Sequence, residues 1–380
     1  MDASEYLKSI LYTKDEVDHW LSGKKFPFAK YHSEFGWLLR DGKFRDGINN
    51  SISVYTYGQY DERKMINYKR KLCRINTYGN SFTQCHQVSD GETWQEILAA
   101  HLHEPIRNFG VGGWSVYQAY LRMKKEEKRT PADYIIFNIY EDDHYRNLDA
   151  WRNIRAKKHE QFIEPTLPHV KVNEQEQSFQ ECSNPCSTPE SVYNLCDLNY
   201  VCQLFNDNFV LKIMLAHINS KENNPSPNNY NEIINLATTH GIKTKIDNSE
   251  NLDKVADNLF TKSAMYSSQC IVKKIDKIAK ENNKKVLYVL SYPPHSIAKY
   301  INEAKRSDQS FVDFLKIQNF PFIDLLEAHV NEYNQFKIGI KKYLERYFIG
   351  HYNPLGNFFC AFAIKNKLVE MLNPKPEPYQ

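Results

Sequence analysis

The chain has 380 residues and carries 49 Lys and Arg against 46 Asp and Glu, a formal net charge of +3. So small an excess gives no general pull toward nucleic acid or anionic lipid, while 41% hydrophobic and 25% charged residues exclude extended disorder. The length suits one large domain or two ordinary ones. No run approaches the roughly 20 apolar residues that cross a bilayer, and acids interrupt what a signal peptide would keep apolar at the start. The expectation is a soluble, cytoplasmic protein with no nucleic-acid or membrane partner, whose eight cysteines are mostly reduced thiols.

In chain order, Thr13 and Glu16 make a capping box for a short helix ending near Gly23, and Ile52 to Tyr57 alternates like a strand. A β-type run from Leu72 stops at Gly79-Asn80-Ser81. Trp94, Ile97, Leu98, His101 and Leu102 then recur at helical spacing, with Ser89 and Asp90 upstream as caps. Strand and helix alternate again: Ile106 to Val111, a Gly112-Gly113 turn, and a helix over Ser115 to Lys128. Tyr134 to Ile139 and, far downstream, Lys285 to Ser291 are nearly continuous apolar runs, as strands buried on both faces require. One helix capped by Asp308, a strand over Phe320 to Leu325 and a last helix from Leu355 to Leu372 complete the pattern.

This rhythm specifies an α/β fold, with five strands suiting a flavodoxin-like parallel sheet. The domain reading has four parts: residues 1–70 as an extension packed on the core, 71–150 and 283–380 as the core, and 151–282 as an inserted, mostly helical cap. Within that insertion, Phe162 to Pro189 reads as loop, Asn223 to Asn229 as a Pro/Asn linker, and a long helix carries Val255, Leu259, Tyr266, Ile271, Ile275 and Ile278.

Ligands of open α/β sheets bind beyond the carboxyl ends of the strands. Four segments fall there: Gly79 to Thr83, Asn108 to Gly113, Tyr140 to Asp143, and Gly350 to Gly356. A serine hydroxyl needs a neighbouring base to become a nucleophile, and a histidine from another loop is the usual one, so Ser81 and His351 form the candidate pair. An acyl-transfer oxyanion needs preorganised amides, and those of Ser81 and Gly113 are the candidates.

GNSFT, NFGVGGWS, YEDD and HYNPLG together resemble, in order and position, the four blocks of the SGNH (GDSL-type) hydrolase superfamily. The resemblance covers Leu72 to Asn147 and Lys285 to Leu372. It implies an esterase acting on an O-acyl group of a small polar or sugar-like molecule, without a cofactor. The family's oxyanion asparagine aligns with Asp142, a carboxylate. The family's acid, two or three residues before the histidine, aligns with Ile349 or Phe348. Asp142 is therefore the candidate third catalytic residue, with Asp143 and Glu345 as other acids, and Asn80, Asp143 and Tyr140 are expected to bind substrate. Acyl transfer, non-acyl elimination and silent ligand binding at the same cleft are the alternatives. Two further readings weigh less: a zinc site on Cys182, Cys186, Cys196 and Cys202, or a metal at Glu141 to His144. Cys85-His86 reads as packing rather than a thiol catalyst.

Overall fold

The computed structural model describes residues 1–24, 27–157, 165–221, 227–242 and 249–380. The chain divides into two compact units, Leu39–His144 with Ile271–Gln380 and Met1–Leu38 with Tyr145–Cys270.

The first of these holds the parallel sheet. Its elements are β1 (Ile75–Tyr78), α1 (Ser81–Gln84), α2 (Trp94–Leu102), β2 (Arg107–Asn108), α3 (Val116–Arg129), β3 (Tyr134–Tyr140), β4 (Lys285–Ser291), α4 (Pro294–Glu303), α5 (Gln309–Ile317), β5 (Phe322–Asp324), α6 (Leu325–Tyr333), α7 (Ile340–Tyr347) and α8 (Pro354–Met371). The strand order is β5-β4-β3-β1-β2, with every pairing parallel. This is the flavodoxin-like order expected from the sequence. Strands β3 and β4 pair over seven positions, from Tyr134 with Lys285 to Tyr140 with Ser291. Both are central and almost wholly buried, which is why neither alternates apolar with polar residues. The direction of winding reverses between β1 and β3, and a sheet of this kind opens a crevice there. The four motif blocks follow β1, β2 and β3 and precede α8, an SGNH-like arrangement.

An antiparallel ribbon, Gly42–Arg45 with Ile52–Tyr55, belongs to the same unit. The first 38 residues do not. They pack with the insertion: the Tyr6 hydroxyl donates to the Ile154 carbonyl at 2.6 Å, the Asn153 amide to the Ile10 carbonyl at 2.7 Å, and the Tyr31 hydroxyl to the Cys186 carbonyl at 2.8 Å. The expected boundary at residue 70 is thus moved to Leu38.

In that second unit, the stretch read as loop after Phe162 contains an antiparallel hairpin, His169–Asn173 with Ser178–Cys182; residues 162–164 lie outside the described residues. The expected linker at Asn223 to Asn229 falls largely outside them too, and a helix runs from Pro227 to Thr239. The long helix spans Ser249–Glu281. Among the described residues no helix is long and apolar enough to cross a membrane.

Candidate active site

Strand β1 ends on a glycine because nothing else fits. Gly79 has φ +150°, and a Cβ there would stand 2.3 Å from Thr83 Oγ1 and 2.6 Å from the Asn138 carbonyl oxygen. The next residue, Asn80, caps α1 by accepting the Phe82 amide at 2.7 Å. That sharp turn puts Ser81 on the rim, its hydroxyl sharing a 2.8 Å hydrogen bond with His351 Nε2, although 270 residues separate them in the chain.

The turn is fastened from below. Gln95 donates to the Thr83 carbonyl at 2.8 Å and the Trp94 indole to that of Phe82 at 3.0 Å. Arg63, which is 1% exposed, donates to the carbonyls of Gln84, Cys85 and Val88 and pairs with Asp90 at 3.0 Å. Cys85 lies beneath, its thiol pushed up to about 12 by burial. At neutral pH it is an inert packing residue, not a nucleophile.

His351 sits in the loop between α7 and α8. Its peptide N–H donates to Gln87 Oε1 at 2.7 Å, and its ring lies 5.1 Å from that of Phe82 and 4.8 Å from that of His86. The following Tyr352 shares a 2.8 Å hydrogen bond with His329 Nε2, and Asn353 caps α8 through the Gly356 amide at 2.9 Å. Burial pushes His329 down to about 3, so it is a neutral bridge between two tyrosines.

Gly113 holds φ +79° in the turn after β2. Its neighbour Gly112 comes against Ser81: a Cβ there would lie 3.6 Å from Ser81 Cβ and 2.7 Å from Gln84 Oε1. Tyr140 forms a wall, its ring stacked on Phe82 at 5.0 Å.

Two expectations are corrected. Asn80 is fully buried and Asp143 is 1% exposed, and they face each other instead of a substrate. Asn80 Nδ2 donates to Asp143 Oδ2, which also accepts the Tyr140 amide at 3.0 Å. A buried carboxyl group beneath the rim needs hydrogen-bond donors, and Asn80 supplies one that an ionised aspartate in its place could not. Asp142 is half-buried, within electrostatic reach of His144, whose ring burial pushes down to about 4. Glu141 accepts the hydroxyls of Ser296 and Ser307. Glu345 is exposed on α7 and pairs with Lys341 at 3.8 Å.

Among the described residues no three His, Cys, Asp or Glu side chains are grouped to hold a metal ion. Cys186 is buried, while Cys182 ends a strand, Cys196 ends a 3-10 turn and Cys202 lies in the helix Leu198–Phe205. The zinc and Glu141 to His144 metal readings are therefore withdrawn.

Several residues around the dyad carry no sequence signal of their own. Arg63, Gln84, His86 and Gln87 lie outside the spacing of the four blocks. Beside the histidine loop, a groove of about 450 Å³ is lined mainly by Pro294, Ala298, Ile340, Leu344, Phe348 and Gly350.

No family model matches the chain, and no curated protein sequence does. Among solved structures it is similar to a lipolytic protein of the G-D-S-L family from Desulfitobacterium hafniense DCB-2, at 10% identity over 76% of this chain and 98% of that one, with a TM-score of 0.33. An acetyl xylan esterase is similar at 14% identity over 78% and 99%, with a TM-score of 0.35. A GDSL-like lipase from Bacteroides thetaiotaomicron VPI-5482 is similar at 11% identity over 81% and 93%, with a TM-score of 0.32.

Proposed function

We propose that the protein is an SGNH-like serine hydrolase that cleaves an ester. The observation that carries this reading is the 2.8 Å hydrogen bond between the Ser81 hydroxyl and His351 Nε2 at the carboxyl edge of the sheet. In the reaction, Ser81 Oγ attacks the acyl carbon while His351 Nε2 takes the hydroxyl proton. The amides of Ser81 and Gly113 stabilise the oxyanion. His351 returns the proton to the leaving alcohol, and water, activated by the same histidine, releases the acyl group from Ser81. The chain's own residues suffice for every step, so no cofactor enters. The substrate is an O-acyl ester of a small polar or sugar-like molecule, and the apolar groove that reaches Gly350 supports an acyl group held beside the base.

A fluorophosphonate probe followed by peptide mapping tests this without knowledge of the substrate. The expected result is modification of Ser81, abolished in His351→Ala with the fold intact. Modification of another residue, or undiminished modification in the histidine variant, overturns the reading.

A further inference from the structure

The histidine that would act as base has no acid before it in its own loop, where Phe348 and Ile349 stand. A carboxylate nevertheless stands behind it. His86, five residues after Ser81, places its ring 4.8 Å from the ring of His351 at an interplanar angle of 57°. His86 Nε2 lies 3.4 Å from Asp46 Oδ2. Asp46 follows the strand Gly42–Arg45 of the antiparallel ribbon, and the Tyr55 hydroxyl of the partner strand donates to it at 2.7 Å. The backbone ties the same parts together: the Gln87 amide donates to the Tyr55 hydroxyl at 2.7 Å, and the Gln87 side chain accepts the His351 amide. Ribbon, nucleophile segment and histidine loop thus meet around one imidazole.

We propose that Asp46, acting through His86, orients and polarises His351 in place of the missing loop acid. Both are positioning residues, and the assignment rests on the Ser81–His351 reading. The proton inventory is simple. His86 keeps its proton on Nε2, toward Asp46; only the Ser81 O–H bond breaks, and only the His351 Nε2–H bond forms. The ring contact holds the His351 imidazole toward Ser81, and the carboxylate lowers the energy of the imidazolium as it forms.

The surroundings agree with an ionised Asp46. Burial pushes its carboxyl up, but hydrogen bonds from His86, Tyr55 and Ser53, together with the electrostatic attraction of His86, outweigh that and hold it below its ordinary value. Among the described residues, the titratable groups facing His86 are Asp46, the Tyr55 hydroxyl, with ring centroids 6.2 Å apart, and His351. The nearest cation behind Tyr55 is Arg63, 4.6 Å from the Tyr55 ring and already paired with Asp90.

The test is the pH dependence of kcat/KM on p-nitrophenyl acetate for the wild type, Asp46→Asn, His86→Phe, their double variant and Asp142→Asn. Asp46→Asn is expected to lower kcat about 10-fold to 100-fold and to move the acidic limb down by about 0.5 to 1 pH unit, since a lost negative charge makes the imidazolium harder to form. His86→Phe keeps a ring against His351 and is expected to show the same change, with no further loss in the double variant. It also serves if the Asp46 variant fails to fold. An unmoved limb in both single variants, or an upward shift, which would mean a charged His86, overturns the proposal. So does a large loss in Asp142→Asn with Asp46→Asn silent. A wild type that neither hydrolyses the ester nor takes the fluorophosphonate at Ser81 would defeat the Ser–His reading itself; a competent wild type with a silent Asp46→Asn defeats only this assignment.

Discussion

The turn carrying Ser81 and the loop carrying His351 end within one hydrogen bond of each other but are built differently. The serine turn is held by buried groups: Arg63 on the carbonyls of Gln84, Cys85 and Val88, Trp94 and Gln95 on two more, and Asn80 against Asp143. The histidine loop is anchored on its α8 side, by His329 on Tyr352, Asn353 on the Arg346 carbonyl and the Gly356 amide, and Asn357 on the Tyr352 and Asn353 carbonyls, while the His351 amide itself is held by Gln87. A side chain anchored by several buried polar groups cannot be loosened without leaving those groups unsatisfied. Changes at Arg63 or Asn80 therefore cost stability and activity together, whereas loss of the half-buried Gln87, the contact of the His351 amide, costs mainly activity.

The largest effect belongs to Arg63→Met, expected to lower the unfolding free energy by about 4 kcal/mol, because it strands Asp90 and three buried carbonyls. Urea unfolding measures it, and a loss below 1 kcal/mol would dissolve the contrast between the two sides. Next comes Asn80→Asp, which gives the chain the aspartate usual in the nucleophile block and sets two carboxylates in a buried contact. It should destabilise by about 3 kcal/mol at neutral pH. Since one of the two carboxyls would have its folded pKa raised, the penalty should shrink as pH falls through that raised value; a pH-independent penalty would show that the loss is steric.

On the histidine side, Gln87→Ala should lower kcat about tenfold, equivalent to about 1.4 kcal/mol of barrier, with the urea midpoint nearly unchanged. An equal loss in both readouts would place Gln87 with the serine-side anchors. The smallest effect concerns His329. Its folded pKa of about 3 lies below its ordinary value of 6.5, so the unfolded chain binds the extra proton, and stability present above pH 6.5 is lost as pH falls toward 3. Between pH 7 and 5.5 this one histidine accounts for about 1 kcal/mol. His329→Gln should flatten the pH dependence of the urea midpoint by that amount, and an unchanged slope would count against a buried neutral imidazole.

Legibility followed the number of partners a segment has. The central strand Lys285–Ser291 was readable to the residue, because burial on both faces leaves an unbroken apolar run. The edge strands shrank from six expected residues each to Arg107–Asn108 and Phe322–Asp324; the second ends where it does because Asp324 already caps α6 by accepting the Leu326 amide. The helix expected between β4 and β5 is two, broken at Ala304, which has φ +53°. Asp308 there binds Arg306 and Tyr292 with its side chain instead of capping α5. Thr93, not Ser89 or Asp90, caps α2, because Ser89 and Glu92 close a separate 3-10 turn. The hairpin at His169–Asn173 was missed because its turn, Glu174 to Gln177, contains no glycine or proline. At the site, Ser81 and His351 were legible from motif spacing. Asn80 and Asp143 were legible as important but not as partners, His86 was legible only as packing beside Cys85, and Asp46 and Gln87 were invisible, since only the fold brings positions so far apart together.

The seven-residue pairing of β3 with β4 has a consequence for how the protein folds. The chain leaves the sheet at Tyr140 and re-enters at Lys285, yet closing a loop grows costlier only with the logarithm of its length, about 0.6 kcal/mol per doubling. At equilibrium the long excursion is therefore nearly as cheap as a short crossover. In time it is not: the β1 to β3 segment can form from local contacts, but β4 must be found across the whole excursion, and such distant parallel contacts slow the search. Because His351 lies beyond β4, catalytic competence should emerge in the slowest refolding phase, behind most of the helical signal.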